Sequence, residues 1–307
     1  MAKRKIRAPQ SSLIFDIGLN ENKYFCFGVT RAANEGASSI MVIIETKLED
    51  RIEWTINDPK NGNSLGLKMY DRFHELLSGL EHKCRMDQSS DGPRVLVIKS
   101  KPVGNHERPI WVAGGNLKEL SSLDQHEARN YARNYSMLCR RLLELPIPVL
   151  VAMDGQVIGG GVELALFGDI RFATDATTFS FKQLRVGLAL GYGSSNRLTQ
   201  LIGPSSAMDY LLSQKVVDAE ELLAKGLIQK QLPGAHELDE AIASFCANLK
   251  QLEPLAVAMQ KRMLNRLYLS SNEKIDQDLD DFTKLWKNPS HLKFLDHFLK
   301  GERNEPG

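Results

Sequence analysis

The sequence is organised around a short glycine-rich stretch, residues 155–166, that follows an apolar run. The run, residues 147–153, is short, flanked by prolines and rich in valine and isoleucine, so it predicts a buried strand. The Asp-Gly pair that follows predicts a turn. Residues 159–161 are all glycine and permit backbone conformations that a side chain would forbid. Residues 163–167 then predict the start of a helix.

A glycine cluster at a helix N-terminus leaves backbone N–H groups free and aimed at one point. Such groups bind a phosphate or stabilise an oxyanion, and the carboxylate of Glu163 can move a proton beside them. A purely structural interpretation stays open, because three glycines also let a helix pack closely against a strand. The chemical interpretation gains support from a second glycine loop.

This second loop also follows a strand-like segment. Residues 110–112 are apolar, and Ala113-Gly-Gly-Asn116 comes directly after them. Two glycine loops, each after a buried strand, predict two main-chain donors that meet at one point. The sequence has no Gly-x-Ser-x-Gly elbow, Walker loop or Gly-x-Gly-x-x-Gly fingerprint, so it lacks the motifs of serine-triad, nucleotide-phosphate and nicotinamide chemistry. None of the seven histidines falls in a metal-ligand pair.

The composition is that of an ordinary globular protein, with 42% hydrophobic and 25% charged residues among 307. A formal net charge of +1 argues against a nucleic-acid-binding surface. No apolar run reaches the length of a membrane span. The four cysteines form no Cys-x-x-Cys pair, so we expect neither a metal site nor a disulfide framework. Scattered cysteines indicate reduced thiols and a cytoplasmic location.

Hydrophobic periodicity predicts strands that alternate with helices and then a helical tail, which is typical of an α/β protein. We divide the chain into an N-terminal extension at 1–37, a core with the active site at 38–204 and a C-terminal helical region at 205–307. The extension carries two expected strands, 13–17 and 24–29. A long helix is predicted over 124–145, with one apolar face formed by Ala128, Tyr131, Ala132, Tyr135, Leu138, Cys139 and Leu142.

The order of the motifs resembles that of the crotonase superfamily, the enoyl-CoA hydratase/isomerase group, from about residue 40 to about residue 300. No single motif is unique, but their order and spacing together are specific. The motifs that carry the resemblance are Thr55-Ile-Asn-Asp-Pro59, Asn63-Ser-Leu65, Val112-Ala-Gly-Gly-Asn-Leu-Lys118, Gly159-Gly-Gly-Val-Glu-Leu-Ala165, Phe179-Ser-Phe-Lys-Gln-Leu-Arg-Val-Gly187, Gly193-Ser-Ser-Asn-Arg-Leu198, Ala219-Glu-Glu-Leu-Leu-Ala-Lys-Gly-Leu227 and the helix that contains Lys261.

The resemblance implies a core of repeated ββα units, a C-terminal trimerisation region and an acyl-CoA substrate. Coenzyme A would enter as part of that substrate, with no permanently bound cofactor, and the assembly would be a homotrimer or a dimer of trimers. The matching backbone N–H groups of the family's oxyanion hole fall at Ala113 and Gly160. The backbone of Ala113, Gly114, Gly115 and Asn116 would also hold the adenine end of coenzyme A.

Glu163 matches one of the two catalytic glutamates of the family's hydratases. In a dry pocket its pKa would rise, which suits an acid or base near neutral pH. The alternative interpretation is structural: Glu163 would be a first-turn carboxylate that complements the helix dipole. The second hydratase glutamate falls at Gln183, whose amide can orient water but cannot take up a proton. Gly191 stands where the family's dienoyl-CoA isomerases place an aspartate.

These residues lead to a ranked set of hypotheses. A single carboxylate favours double-bond isomerisation, because one base can remove a proton and return it elsewhere. Hydration, with Gln183 holding the water, comes second, and thioester hydrolysis or C–C cleavage third. The rival from another class is a protein that binds acyl-CoA without catalysis. Arg185 and Tyr192 are either pocket residues or, respectively, a salt-bridge partner and part of the core.

Overall fold

The computed structural model describes residues 42–86, 92–104, 109–269 and 272–301. The expected N-terminal extension and its two strands lie outside the described residues. Strands and helices alternate through the first half, and helices dominate the second half, so the predicted α/β class is confirmed. No helix in the described residues combines the length and the apolar character needed to cross a membrane.

The described strands belong to two sheets. In chain order they are β1 (Ile43–Lys47), β2 (Ile52–Ile56), β3 (Leu96–Ser100), β4 (Ile110–Val112), β5 (Val149–Met153), β6 (Gln156–Ile158), β7 (Ile170–Thr174), β8 (Thr178–Ser180), β9 (Val216–Asp218) and β10 (Lys230–Leu232).

The α-helices surround these sheets. They are α1 (Leu67–Met86), α2 (Leu117–Leu120), α3 (Gln125–Glu144), α4 (Gly160–Leu166), α5 (Ser194–Ile202), α6 (Pro204–Ser213), α7 (Ala219–Ala224), α8 (Ala235–Leu249), α9 (Pro254–Leu269), α10 (Asn272–Leu285) and α11 (Pro289–Leu299). Two 3₁₀ turns, Pro59–Asn61 and Leu184–Val186, complete the described elements.

The larger sheet has the strand order β1-β2-β3-β5-β7-β10, and the smaller has the order β4-β6-β8-β9. Among the paired strands of the described residues, only β1–β2 and β8–β9 are antiparallel. In the smaller sheet β4 pairs with β6 in parallel, with Ile110 opposite Gln156. Because parallel neighbours end at the same edge, the loops that follow β4 and β6 come together there. These loops are the two glycine loops of the sequence.

Helix α3 forms one wall of the core. Asp124 and Glu127 make a reciprocal capping box at its N-terminus, which satisfies two backbone donors that would otherwise lack partners. All seven apolar residues of the predicted face are buried, and α3 packs against α1, α9 and α10. Burying a side chain such as Leu138 or Leu142 stabilises the fold by about 1.5–3 kcal/mol.

The C-terminal region is helical, as the sequence predicts, but it also extends both sheets. Strand β9 pairs with β8 in the smaller sheet, and β10 pairs with β7 in the larger. The C-terminal region therefore adds one strand to each sheet.

Candidate active site

The first glycine loop leads directly into α4. Gly159 has a φ of +52°, and its carbonyl oxygen accepts the N–H groups of Val162 and Glu163 at 3.0 and 3.3 Å. The Gly160 N–H has no acceptor among the described residues. A main-chain donor at the first position of a helix is free by geometry, so it is available to a substrate oxygen.

The second glycine loop is fixed by hydrogen bonds that it exchanges with residues 62–65. The Ala113 N–H donates to Gly62 O at 3.1 Å, and Leu65 N–H donates to Gly114 O at 2.6 Å. The expectation that Ala113 is the oxyanion donor therefore needs correction, because its amide is already engaged. The Gly115 N–H, in contrast, has no acceptor among the described residues and is the available donor of this loop.

The two loops pack against each other closely. A Cβ atom added to Gly114 would lie 2.9 Å from Ile158 O and 3.3 Å from the Gly160 nitrogen. A Cβ on Gly161 would lie 2.8 Å from Val112 O. Glycine is therefore required at both positions by the close approach of the two main chains, which is the packing role that the structural interpretation of the glycine cluster predicts.

Glu163 lies one turn into α4 and is only 2% exposed. Its Oε2 accepts hydrogen bonds from the Tyr192 N–H at 2.9 Å and the Ser194 hydroxyl at 2.8 Å. Its Oε1 accepts one from the Gln183 side-chain amide at 2.9 Å. These donors hold both oxygens of the carboxylate in place.

Burial raises the pKa of Glu163 above its ordinary value of 4.5. Hydrogen bonds from Tyr192, Ser194, Gln183 and the Gly191 main chain oppose this effect. Burial disfavours the charged form and the donors favour it, so the donors partly offset the rise in the pKa of Glu163 that burial causes. This is the electrostatic setting of a carboxylate that both accepts and returns a proton.

Gln183 is buried beside Glu163, directly before the Leu184–Val186 turn. Its Nε2 donates to Glu163, whereas its Oε1 is buried without a hydrogen-bond partner among the described residues. A buried carbonyl oxygen without a donor is costly, typically by about 1–3 kcal/mol. The unused Oε1 therefore has capacity for one donor, such as a water molecule or a substrate hydroxyl.

The remaining residues that the sequence singled out have other surroundings. The Asn116 side chain accepts from the Glu119 N–H and caps α2. Tyr192 is buried, at 4% exposure, and Arg185 is exposed. Ser194 was missed as a site residue, although the Gly193-Ser-Ser195 motif at the start of α5 was the signal that could have pointed to it.

The site thus combines two unengaged main-chain amides with a buried carboxylate held by three donors. Such a site can bind an oxygen that gains negative charge and can move a proton next to it. No group of three or more histidine, cysteine, aspartate or glutamate side chains in the described residues has the geometry of a metal site.

Comparison with known proteins identifies the family to which the chain belongs. Residues 51–304 match the model of the enoyl-CoA hydratase/isomerase family. A Mycobacterium tuberculosis protein with the name "Probable enoyl-CoA hydratase" is 32% identical over 217 residues, covering 71% of this chain and 78% of that protein. The peroxisomal Delta(3,5)-Delta(2,4)-dienoyl-CoA isomerase of Arabidopsis thaliana is 27% identical over 245 residues, covering 76% of this chain and 82% of the isomerase.

A solved structure shares the fold. The crystal structure of enoyl-CoA hydratase from Bacillus halodurans matches with a TM-score of 0.73 and 21% identity, covering 83% of this chain and 99% of that chain. Since the family model spans most of the sequence, the chain belongs to the enoyl-CoA hydratase/isomerase family, as the order of its motifs indicated.

Proposed function

We propose that the protein is an enzyme that acts on an acyl-CoA thioester, with Gly115 and Gly160 as oxyanion donors and Glu163 as its single acid/base. The observation that carries this proposal is the burial of Glu163 among three donors, one helical turn from the free Gly160 amide. A carboxylate that only complements the helix dipole can be hydrogen-bonded by water at the protein surface. It does not need to be buried among three protein donors.

The two glycine amides would stabilise the charge that develops on the thioester oxygen. When a proton leaves the α-carbon, the electron pair moves into the carbonyl and the oxygen becomes an enolate. A single well-placed donor in such a hole typically lowers the barrier by about 3–4 kcal/mol. Because both donors are main-chain groups fixed by packing glycines, they need no rearrangement during the reaction.

Double-bond isomerisation fits this set of groups best. Glu163 would remove a proton from C2 of a 3-enoyl-CoA, the double bond would move to C2–C3, and the same carboxyl group would return the proton at C4. One base is sufficient, and the proton count is unchanged at the end. The absence of a second carboxylate at Gln183 then has no consequence for the reaction.

The test compares the wild type with Glu163→Gln on a panel of 3-enoyl-, 2-enoyl- and saturated acyl-CoAs. We expect the wild type to convert 3-enoyl-CoA to 2-enoyl-CoA, and the variant to lose about 10²–10⁴-fold in kcat, the usual contribution of acid–base catalysis. Glu163→Gln should fold, because a flip of the Gln183 amide lets its unpartnered Oε1 accept from the new amide group.

The same panel separates the alternatives. Equal turnover by wild type and variant would remove Glu163 from the mechanism. Tight binding of a saturated acyl-CoA, measured by calorimetry, with no turnover of any thioester would select the acyl-CoA-binding rival. Release of free coenzyme A would indicate a hydrolase, and shortening of the acyl chain would indicate a C–C lyase.

Hydration is the second candidate, and the unpartnered Oε1 of Gln183 favours it. This oxygen can accept a hydrogen bond from a water molecule held next to Glu163. The water oxygen would attack C3 while Glu163 takes a proton from the water, and Glu163 would then return that proton to C2 of the enolate. Formation of 3-hydroxyacyl-CoA from 2-enoyl-CoA in the panel would support this reaction. A product with the double bond moved and no hydroxyl would support isomerisation.

We also propose that the chain assembles as a homotrimer or a dimer of trimers. Helix α9 has Lys261, Asn265 and Tyr268 on its buried face, whereas Leu255, Met259 and Met263 are 40–65% exposed on the other. An exposed apolar stripe at helical spacing is typical of an interface between subunits. Sedimentation of the full chain tests this, with three or six times the chain mass expected.

The loop from Ala113 to Asn116 is the proposed contact for the adenine end of coenzyme A. Ala113, Gly115 and Asn116 are each partly exposed, so main-chain groups of this loop can be reached from solvent. Coenzyme A would be present only as part of the substrate. The cytoplasmic location expected from the cysteine pattern stays a prediction.

A further inference from the structure

Tyr192 contacts both parts of the candidate site. Its main-chain N–H holds Glu163 Oε2, and its side chain lies over the Cα of Gly160. A Cβ atom added to Gly160 would be 2.8 Å from Tyr192 Cε2 and 2.9 Å from its hydroxyl oxygen. The phenol of Tyr192 therefore lies directly beside the residue that supplies one oxyanion donor.

Tyr131 brings a second hydroxyl to the other loop. Its hydroxyl donates to Leu65 O at 2.7 Å and is hydrogen-bonded to the Tyr192 hydroxyl. A Cβ on Gly115 would lie 3.5 Å from the Tyr131 oxygen. The pair of hydroxyls thus extends from the neighbourhood of Gly115 to that of Gly160, the two residues with unengaged amides.

The number of protons fixes the direction of this hydrogen bond. A phenol carries one proton, and Tyr131 uses its own on Leu65 O, so the Tyr192 proton must be the one shared between the hydroxyls. Burial raises the pKa of both tyrosines, so both keep their protons at neutral pH. Tyr192 is therefore a donor whose present acceptor is another hydroxyl.

We propose that Tyr192 is a further catalytic residue, whose hydroxyl turns from Tyr131 to donate a third hydrogen bond to the thioester oxygen. The inference rests on the proposed function, because it needs an acyl-CoA carbonyl at the two glycine amides. The O–H group would redirect its proton by turning about the C–O bond. The stronger acceptor, an oxygen gaining negative charge, replaces a neutral hydroxyl.

A packing role would not need this hydroxyl. The Tyr192 ring stacks on Tyr135 with 4.7 Å between ring centroids, and phenylalanine would stack equally well. Tyr135 has the same kind of environment, but its hydroxyl donates to Gly66 O at 2.9 Å. Tyr135→Phe is therefore a matched control that removes a buried hydroxyl from the same cluster without touching the pair of Tyr131 and Tyr192.

The experiment uses the full chain and the chromophoric thioester 4-dimethylaminocinnamoyl-CoA, whose absorption moves to longer wavelength as its carbonyl accepts hydrogen bonds. We expect the wild type and Tyr135→Phe to give the same red shift. Tyr192→Phe should bind the probe with a clearly smaller shift, and Tyr131→Phe should keep the full shift. On 3-hexenoyl-CoA, Tyr192→Phe should lose about tenfold or more in kcat with KM within about twofold.

Two results would overturn the inference, and they differ from failure of the proposed function. If Tyr192→Phe keeps both the red shift and kcat, the hydroxyl does not reach the carbonyl, although the site binds thioesters. If Tyr192→Phe and Tyr135→Phe lose kcat equally while the red shift stays, the effect is one of packing. A wild type that neither binds the probe nor turns over 3-hexenoyl-CoA would reject the proposed function and this inference together.

Discussion

At the scale of single residues, the site depends on glycines that let two main chains approach each other. Gly114 has a φ of +88° and faces Ile158 O and the Gly160 nitrogen. A side chain at this position would meet both a disfavoured backbone conformation and a neighbouring carbonyl. The relative placement of the Gly115 and Gly160 amides is therefore set by the absence of a Cβ atom at Gly114.

We predict that Gly114→Ala destabilises the protein by more than about 1–2 kcal/mol, the cost of the left-handed conformation alone for a residue with a side chain. Turnover should fall more than stability alone explains, because the two amides would move apart. Urea unfolding and the 3-enoyl-CoA assay measure the two effects.

The matched control for this prediction is Gly79→Ala. Gly79 lies in the exposed part of α1, and an added Cβ would meet nothing within 4 Å. This variant should be about 0.5–1 kcal/mol more stable than the wild type, with unchanged turnover. Wild-type turnover in Gly114→Ala would show that the packing of the two loops does not set the catalytic geometry.

The sequence could predict part of this site and not the rest. The motifs identify Gly160, Glu163 and Gln183, and the structure places these three residues together. The free donor of the second loop was assigned to Ala113, and this was wrong because Gly62 O, about fifty residues earlier, occupies that amide. Such a contact depends on how distant segments pack, which no local pattern contains.

At the scale of secondary-structure elements, hydrophobic periodicity predicts the long helices best. Helix α3 spans Gln125–Glu144, against a predicted 124–145, and its buried face is the predicted one. Strands β6, β9 and β10 were not predicted. Each has only three residues and includes at least one polar residue, so the segment shows neither an alternating pattern nor an apolar run such as that of β4.

Helix α9 is attached to the core by a buried ion pair. Lys261 Nζ lies 2.7 Å from Asp169 Oδ2 and also donates to Leu142 O and Ile147 O. Burial lowers the pKa of Lys261, while Asp169 opposes this effect. The ammonium group therefore connects α9 to the end of α3 and to the segment that leads into β5.

We predict that Lys261→Met destabilises the protein by about 3–5 kcal/mol, because it removes the cation in direct contact with the partly buried Asp169. The double variant Lys261→Met, Asp169→Asn should recover most of this loss, since an asparagine oxygen can still accept from the Val149 N–H. Urea unfolding of the single and double variants gives the coupling energy. Additive losses would show that the two charges act independently.

At the scale of the whole molecule, the site exists because β4 and β6 are parallel neighbours. The sequence predicts a strand before each glycine loop, but the sheet order β4-β6-β8-β9 is set by pairing between segments far apart in the chain. From the residues alone, a meeting of the two loops was therefore an expectation. The close approach of Gly114 to Gly160 follows from the strand order of the whole sheet, and no single strand or helix determines it.

The central claim is that two main-chain amides and Glu163 together make an enolate from an acyl-CoA thioester. The most direct measurement is the exchange of α-protons of butyryl-CoA for deuterium in D₂O, followed by NMR. This exchange needs no double bond, so it is independent of whether isomerisation or hydration is the natural reaction.

We predict that the wild type exchanges the α-protons and that Glu163→Gln loses about 10²–10⁴-fold in rate. Because the base must be ionised and burial raises the pKa of Glu163 above 4.5, the rate should fall as pH is lowered through that raised pKa. Exchange no faster than in buffer at any pH, or equal exchange by the wild type and Glu163→Gln, would contradict the account.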